Sequence, residues 1–168
     1  MKRFAKAKIA SCLLVMSLTA LTSCGGSGIQ PEKRGLKILF ANDDDFDIRM
    51  NKDDFERLFK NLIENAIIYN KPNGCITINI DRKKRSVSIK DEGIGIKEED
   101  ISRIFERFYR VDKARSRRES GTGLGLAIVK ALLDAHDANY GVISELGKGS
   151  CFYFELKQEN VFWLFTRY

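Results

Sequence analysis

The chain has 168 residues, 43% hydrophobic and 31% charged, with two prolines and eleven phenylalanines, which fits about one folded domain and excludes a large multidomain enzyme, a collagen-like chain or a broadly disordered one. Formal net charge is +6, but Lys2, Arg3, Lys6 and Lys8 supply four of those charges and leave only +2 downstream, so no nucleic-acid footprint is present. The four cysteines, Cys12, Cys24, Cys75 and Cys151, show neither a CxxC pair nor a histidine at metal spacing, which argues against a zinc site or a dense disulfide framework.

The basic stretch Met1 to Lys8 precedes an apolar run of thirteen residues, Ile9 to Leu21, interrupted by Ser11, Ser17 and Thr19. A bilayer span needs roughly 20 apolar residues, so the run suits the apolar centre of a signal peptide better than a membrane helix. The following Leu21-Thr22-Ser23-Cys24-Gly25-Gly26 resembles a bacterial lipoprotein signal, in which Cys24 would be lipidated. The alternative is a short membrane anchor, with Cys24 incidental. Residues 1–24 are thus expected to be a signal or anchor that brings the N-terminus to the membrane. Residues 25–35, rich in glycine and carrying Ser27 and Pro31, read as a flexible linker.

From Leu36 the pattern is that of an α/β domain, expected over 36–156. Leu36 to Phe40 and Phe46 to Met50 alternate as short strands around an acidic turn. Phe55, Leu58, Phe59, Leu62, Ile63, Ala66 and Ile67 recur at helical spacing and predict a long amphipathic helix, with Asn51 or Asp53 as its cap. Cys75 to Ile80 and Ser86 to Lys90 form a predicted hairpin. A short helix is expected over Glu98 to Phe105 and a long one over Leu124 to Ala135, followed by strands at Tyr140 to Glu145 and Ser150 to Leu156.

Four segments concentrate residues suited to chemistry. Asn61 and Asn65 lie four apart and share one helix face, although asparagines on a solvated face are common. Asp91-Glu92-Gly93-Ile94-Gly95-Ile96 follows a strand and places a carboxylate beside two glycines, where backbone can approach a flat ligand and the carboxylate can accept from an exocyclic amine. Gly121-Thr122-Gly123-Leu124-Gly125-Leu126 opens a helix whose free N–H groups suit phosphate. Its GxGxG spacing differs from the dinucleotide fingerprint. Phe105 to Arg110, followed by a polar stretch to Ser120, has the pattern of an anchored lid or of a solvated charged loop.

In order and spacing these segments resemble the N, G1, F and G2 boxes of the ATP-binding domain of two-component sensor histidine kinases, with Gly147 to Phe152 resembling its closing glycine turn and last strand. The resemblance covers about 36–156. It implies a two-layer α/β (α+β) sandwich, a mixed sheet with helices packed on one face. It also implies ATP and Mg²⁺ as ligands, with Asn65 on the metal, Asp91 on the adenine amino group and Tyr69 packed on the base. Gly93 and Gly95 would let the chain pass the base, and the amides of Gly121, Gly123, Leu124 and Gly125 would hold phosphate oxygens. The set is completed by Ile96, Arg110, Thr122 and Leu126.

In the related hydrolytic ATPases a glutamate that activates water stands where this chain has Asn61. An amide is no base, so the site suits phosphotransfer, and Asn61 and Asn65 are the expected catalytic positions. Three departures stand out. Ile68 replaces a lysine common before the tyrosine, and His136-Asp137-Ala138 replaces a His-Gly-Gly turn. No helix pair bearing a phosphoacceptor histidine precedes the domain, and the sole histidine, His136, falls in the turn. The expected function is therefore ATP binding and γ-phosphate transfer to a dimerisation and histidine-phosphotransfer domain in trans, indirectly serving a response regulator. The alternatives are a non-catalytic nucleotide-binding or interaction module and a serine kinase of the anti-sigma type, against which the full Phe105 to Arg110 box argues. An active domain would be cytoplasmic, whereas the signal points to export. The aromatic tail 157–168 is expected to be an added strand, a partner site or a frame-shifted end.

Overall fold

A computed structural model describes residues 6–8, 34–41, 44–111 and 122–157. Most of the lipoprotein-like signal, with Cys24, most of the linker, the polar stretch 112–121 with Gly121, and the tail from 158 lie outside the described residues. Among the described residues the strands are β1 (Lys6–Lys8), β2 (Lys37–Phe40), β3 (Asp47–Arg49), β4 (Cys75–Asp81), β5 (Ser86–Asp91), β6 (Asn139–Glu145) and β7 (Gly149–Glu155), and the helices are α1 (Lys52–Ile68), α2 (Glu98–Ile101) and α3 (Gly125–Ala135).

Five strands form one mixed sheet in the order β2-β4-β5-β7-β6, with β2 parallel to β4 and every other pairing antiparallel. Alternation along the strands sends Ile76, Ile78, Ile80, Val87, Ile89, Phe152 and Phe154 to the inner face, where they are buried. They pack on the buried stripe of α1 and on Val129 and Leu133 of α3, making a single core. The other face carries Thr77, Ser88, Lys90, Cys151 and Tyr153, which are half-buried or exposed. The result is the expected two-layer sandwich with helices on one face.

Helix α1 buries Phe55, Leu58, Phe59, Leu62, Ile63, Ala66 and Ile67, each large side chain contributing about 1.5–3 kcal/mol of transfer free energy. Asn51 Oδ1 accepts from the Asp53 N–H at 3.0 Å, and Asp53 and Asp54 stand in the positive first turn. The C-terminus is closed by a residue that the sequence placed in the linker. Arg34 donates from one guanidinium nitrogen to the carbonyls of Ile67 and Ile68, at 2.8 and 2.7 Å, satisfying two acceptors that no helix N–H can reach.

Three expectations change in detail. The two early strands form but do not adjoin one another: β2 joins the main sheet, whereas β3 pairs antiparallel with β1. The segment carrying Lys6 and Lys8, expected at the start of a signal, is therefore paired in a small second sheet. The short helix ends at Ile101 rather than Phe105, because residues 102–108 continue as turns that bury Ile104 and set Phe105 edge-on against Tyr140 and Phe152. The turn after α3 closes without glycine: Asp137 adopts φ 51°, a conformation that aspartate tolerates, while the Ala138 N–H reaches the Leu133 carbonyl at 3.0 Å.

Candidate nucleotide-binding site

Asn61, Asn65 and Tyr69 follow at four-residue intervals along α1 and so occupy one stripe. The asparagines are half-buried, because α3 packs against α1. Asn61 donates from Nδ2 to the Arg57 carbonyl at 2.7 Å. Its Oδ1 faces the start of α3, 3.1 Å from where a Cβ on Gly125 would stand. The Asn65 Nδ2 is buried and has no partner among the described residues. Leaving such a donor unpaired costs about 1–3 kcal/mol, so an acceptor is expected there. Tyr69 caps α1 through its N–H to the Asn65 carbonyl, yet its side chain remains 41% exposed.

Asp91 ends β5 and is only 3% exposed. Its Oδ1 accepts from the N–H groups of Gly93 and Ser150, at 2.8 and 3.2 Å. Burial pushes its carboxyl above the usual range, against the pull of those two donors. Both bonds fall on one oxygen, so Oδ2 is the one left for an incoming donor. The following loop is clamped on both sides. The Ile94 N–H donates to the Tyr69 carbonyl at 3.1 Å, and the Ile94 carbonyl accepts from the Gly147 N–H at 2.7 Å. Any Cβ at Gly93 would strike the Tyr69 carbonyl oxygen, and one at Gly95, where φ is 69°, would strike that of Glu145. The two glycines are thus already required by neighbouring backbone, a different reason from the close approach of a ligand. Glu92, beside Asp91, is held below the usual carboxylate range by its bond to Lys71, 3.0 Å away.

The third wall is the start of α3. Leu124 occupies the N-cap position with no side-chain capping bond, leaving the first-turn N–H groups to whatever binds there. Thr122 is exposed and Gly123, Leu124, Gly125 and Leu126 are half-buried. Leu126 and Ile96 pack against the core. The 105–110 segment docks on this turn: Phe108, at φ 64°, donates its N–H to the Gly123 carbonyl at 2.9 Å. Tyr109 donates its hydroxyl to Asp100, which holds its ionisation above the ordinary tyrosine value, and Arg103 lies over its ring at 4.3 Å. Arg110 stands half-buried at the end of the segment.

The donor set fits a magnesium-bound nucleotide. No group of three or more His, Cys, Asp or Glu side chains among the described residues could hold a metal, so an ion here would depend on the Asn65 amide oxygen together with phosphate oxygens and water, a mode natural to Mg²⁺. Sequence reasoning did not select Ser144, whose Oγ receives the Ile96 N–H at 2.8 Å, or Ser150 or Arg34. Ser150 lies in the closing glycine turn, but no motif marks Ser144 or Arg34, and cross-strand register and chain return bring these residues to the site.

Residues 50–160 match the family described as histidine kinase-, DNA gyrase B- and HSP90-like ATPases. Over 118 residues the chain is 42% identical to the sensor histidine kinase WalK of Bacillus subtilis, covering 68% of this chain and 19% of that protein. Over 108 residues it is 43% identical to the signal transduction histidine-protein kinase ArlS of Staphylococcus aureus, covering 63% and 24%. The chain therefore spans about a fifth to a quarter of these relatives' length. Among solved structures, the mycobacterial sensor histidine kinase MprB superposes with TM-score 0.74 at 18% identity, covering 92% of this chain and 97% of that one. Full-length ShkA, solved in complex with AMPPNP, gives 0.70 at 25% identity, covering 92% and 31%.

Proposed function

The chain belongs to the histidine kinase-, DNA gyrase B- and HSP90-like ATPase family, and on that premise we propose that it is the Mg²⁺–ATP-binding catalytic domain of a sensor histidine kinase, which passes the γ-phosphate to a histidine on a dimerisation and phosphotransfer domain in trans. A response regulator is the indirect recipient. The observation that carries the proposal is the buried Asp91 carboxylate, fixed through Oδ1 by two backbone donors within the same loop-and-helix frame as the Asn65 Nδ2, which has no partner among the described residues.

Asp91 Oδ2 accepts from the adenine amino group, and Tyr69 covers the base. Asn65 and the uncapped N-terminus of α3, with Thr122, Gly123, Leu124 and Gly125, receive the phosphates. Gly121, outside the described residues, is a further phosphate-binding position that the family resemblance implies, and Arg110 adds positive charge. Mg²⁺, held through the Asn65 amide oxygen together with phosphate oxygens and water, would neutralise triphosphate charge. Asn61 spends its Nδ2 on the Arg57 carbonyl and, being neutral, takes no proton from water, which favours transfer over hydrolysis.

No helix among the described residues is long and apolar enough to cross a membrane. An active ATP-binding domain would work on the cytoplasmic side, where its nucleotide is abundant, with the N-terminus as a short anchor; lipidation of Cys24 would instead go with export of the domain.

The test incubates the protein with γ-labelled ATP, alone and with a dimerisation and phosphoacceptor domain from a related sensor kinase. Alone it should bind nucleotide but acquire no acid-labile label. With the acceptor, label should appear on the acceptor and disappear with Asn65→Ala. A second reading, nucleotide binding without catalysis, is favoured by Ile68, where a phosphate-reaching lysine is common. Bound nucleotide without labelled acceptor would select it, with Ile68→Lys as the substitution to try next.

A further inference from the structure

The loop proposed to read the base is built against a hairpin that carries none of the proposed ligand-binding groups. Three bonds join them: Gly147 N–H to the Ile94 carbonyl at 2.7 Å, Ile96 N–H to Ser144 Oγ at 2.8 Å, and Ser150 N–H to Asp91 Oδ1 at 3.2 Å. Ser144 is the centre of this set. Its Oγ lies 3.0 Å from the Gly149 carbonyl and 3.0 Å from Ser150 Oγ.

Counting protons fixes the direction of each bond. A serine hydroxyl has one proton and two lone pairs. The Gly149 carbonyl can only accept, so it takes the Ser144 proton. The lone pairs then receive the Ile96 N–H and the Ser150 hydroxyl. Ser144 is saturated by protein groups and retains nothing with which to touch a ligand. It can act only through Ile96 and through Gly149-Ser150, and Ser150 in turn orients Asp91.

Resting on the nucleotide-binding function proposed above, we infer that Ser144 is a positioning residue that sets the place of the 91–96 loop, and through it the selectivity for adenine, without contacting the nucleotide. Its removal takes a partner from the Ile96 N–H, the Gly149 carbonyl and the Ser150 hydroxyl together, so the loop loses its hold on the hairpin at its Ile96 end while the Gly147–Ile94 and Ser150–Asp91 bonds remain.

The experiment measures binding of adenosine, ADP, Mg²⁺–ATP and Mg²⁺–GTP by calorimetry for the wild type, Ser144→Ala and Ser144→Thr. Ser144→Ala should weaken the three adenine ligands by one common factor, about threefold to tenfold for loss of such a bond. It should leave GTP and the gain in ATP affinity on adding Mg²⁺ unchanged, so that preference for ATP over GTP falls. Ser144→Thr keeps the hydroxyl and suits a strand, and should restore wild-type values. A merely structural role would change the unfolding midpoint but not the affinity of the folded molecules.

Wild-type affinities in Ser144→Ala, a loss that includes the Mg²⁺-dependent gain, or failure of threonine to restore binding would each overturn the inference. If Ser144→Ala does not fold, Ser144→Thr against Ser144→Val repeats the comparison with side chains of one shape, and equal binding by those two would overturn it. A wild type that binds no adenine ligand at all would overturn the proposed function, and this inference with it.

Discussion

Replacing Asp91 by asparagine separates recognition from folding. The amide oxygen can keep both backbone donors, Gly93 and Ser150, so the amide nitrogen takes the place of Oδ2 and presents protons to an amino group that also presents protons. A charge-assisted bond worth about 1.5–3 kcal/mol is lost, which at about 1.4 kcal/mol per tenfold lowers ATP affinity by roughly 10- to 150-fold. Stability should respond differently. Burial outweighs the two donors and pushes the carboxyl above 3.8, so the charge itself is disfavoured in the fold and a neutral amide avoids that penalty. The sign with pH follows. The native state binds the Asp91 proton more tightly than the unfolded chain, so this group lowers stability at neutral pH and ceases to do so as pH falls through the folded value towards 3.8. The wild type should therefore gain stability relative to Asp91→Asn on acidification, and at neutral pH the variant should unfold within about 1 kcal/mol of the wild type. Calorimetry with ATP and GTP, and urea unfolding at several pH values, give the answer. Equal losses for both nucleotides, or a variant destabilised by more than about 2 kcal/mol, would show that Asp91 holds the fold rather than the base.

Gly95→Ala should cost more than about 2 kcal/mol in urea unfolding, since a left-handed φ penalty of about 1–2 kcal/mol adds to a clash with the Glu145 carbonyl; a change below about 0.5 kcal/mol would contradict the packing described. Asn65→Ala should leave stability unchanged or raise it by up to about 0.5 kcal/mol through helix propensity, because its Nδ2 has no partner among the described residues, while abolishing the Mg²⁺-dependent part of ATP affinity in titrations with and without the ion. Asp100→Asn should bring Tyr109 ionisation down towards 10.0, because the bond to Asp100 is the main cause of its elevation; ring-labelled tyrosine followed by NMR across alkaline pH reads this directly, and an unmoved titration would refute the pairing.

Much of the fold was legible along the chain. The apolar spacing from Phe55 to Ile67 identified α1 because one buried stripe repeats at helical period, and the same seven residues are those the core buries. Alternation identified β4 to β7 because one sheet face is covered and the other is not. Less legible were features set between distant segments. Nothing local distinguished β2, which joins β4 in parallel, from β3, which pairs with β1, since alternation shows that a strand exists but not which edge it meets.

The candidate site divides in the same way. The sequence by itself determined the chemical groups, their order and their placement on helix, strand end or turn: an amide pair at helical spacing, a carboxylate after a strand, and a glycine-rich helix start. Tertiary structure decided their state. It buried Asp91 and directed two backbone donors onto one of its oxygens, left the Asn65 Nδ2 without a partner among the described residues, and set Arg34 on the end of α1. It also made the glycines at 93 and 95 a requirement of passing carbonyls, and brought Ser144 from 48 residues away onto the Ile96 N–H. Burial, hydrogen-bond saturation and backbone clearance depend on which distant segments share a place, and local periodicity holds no information about that.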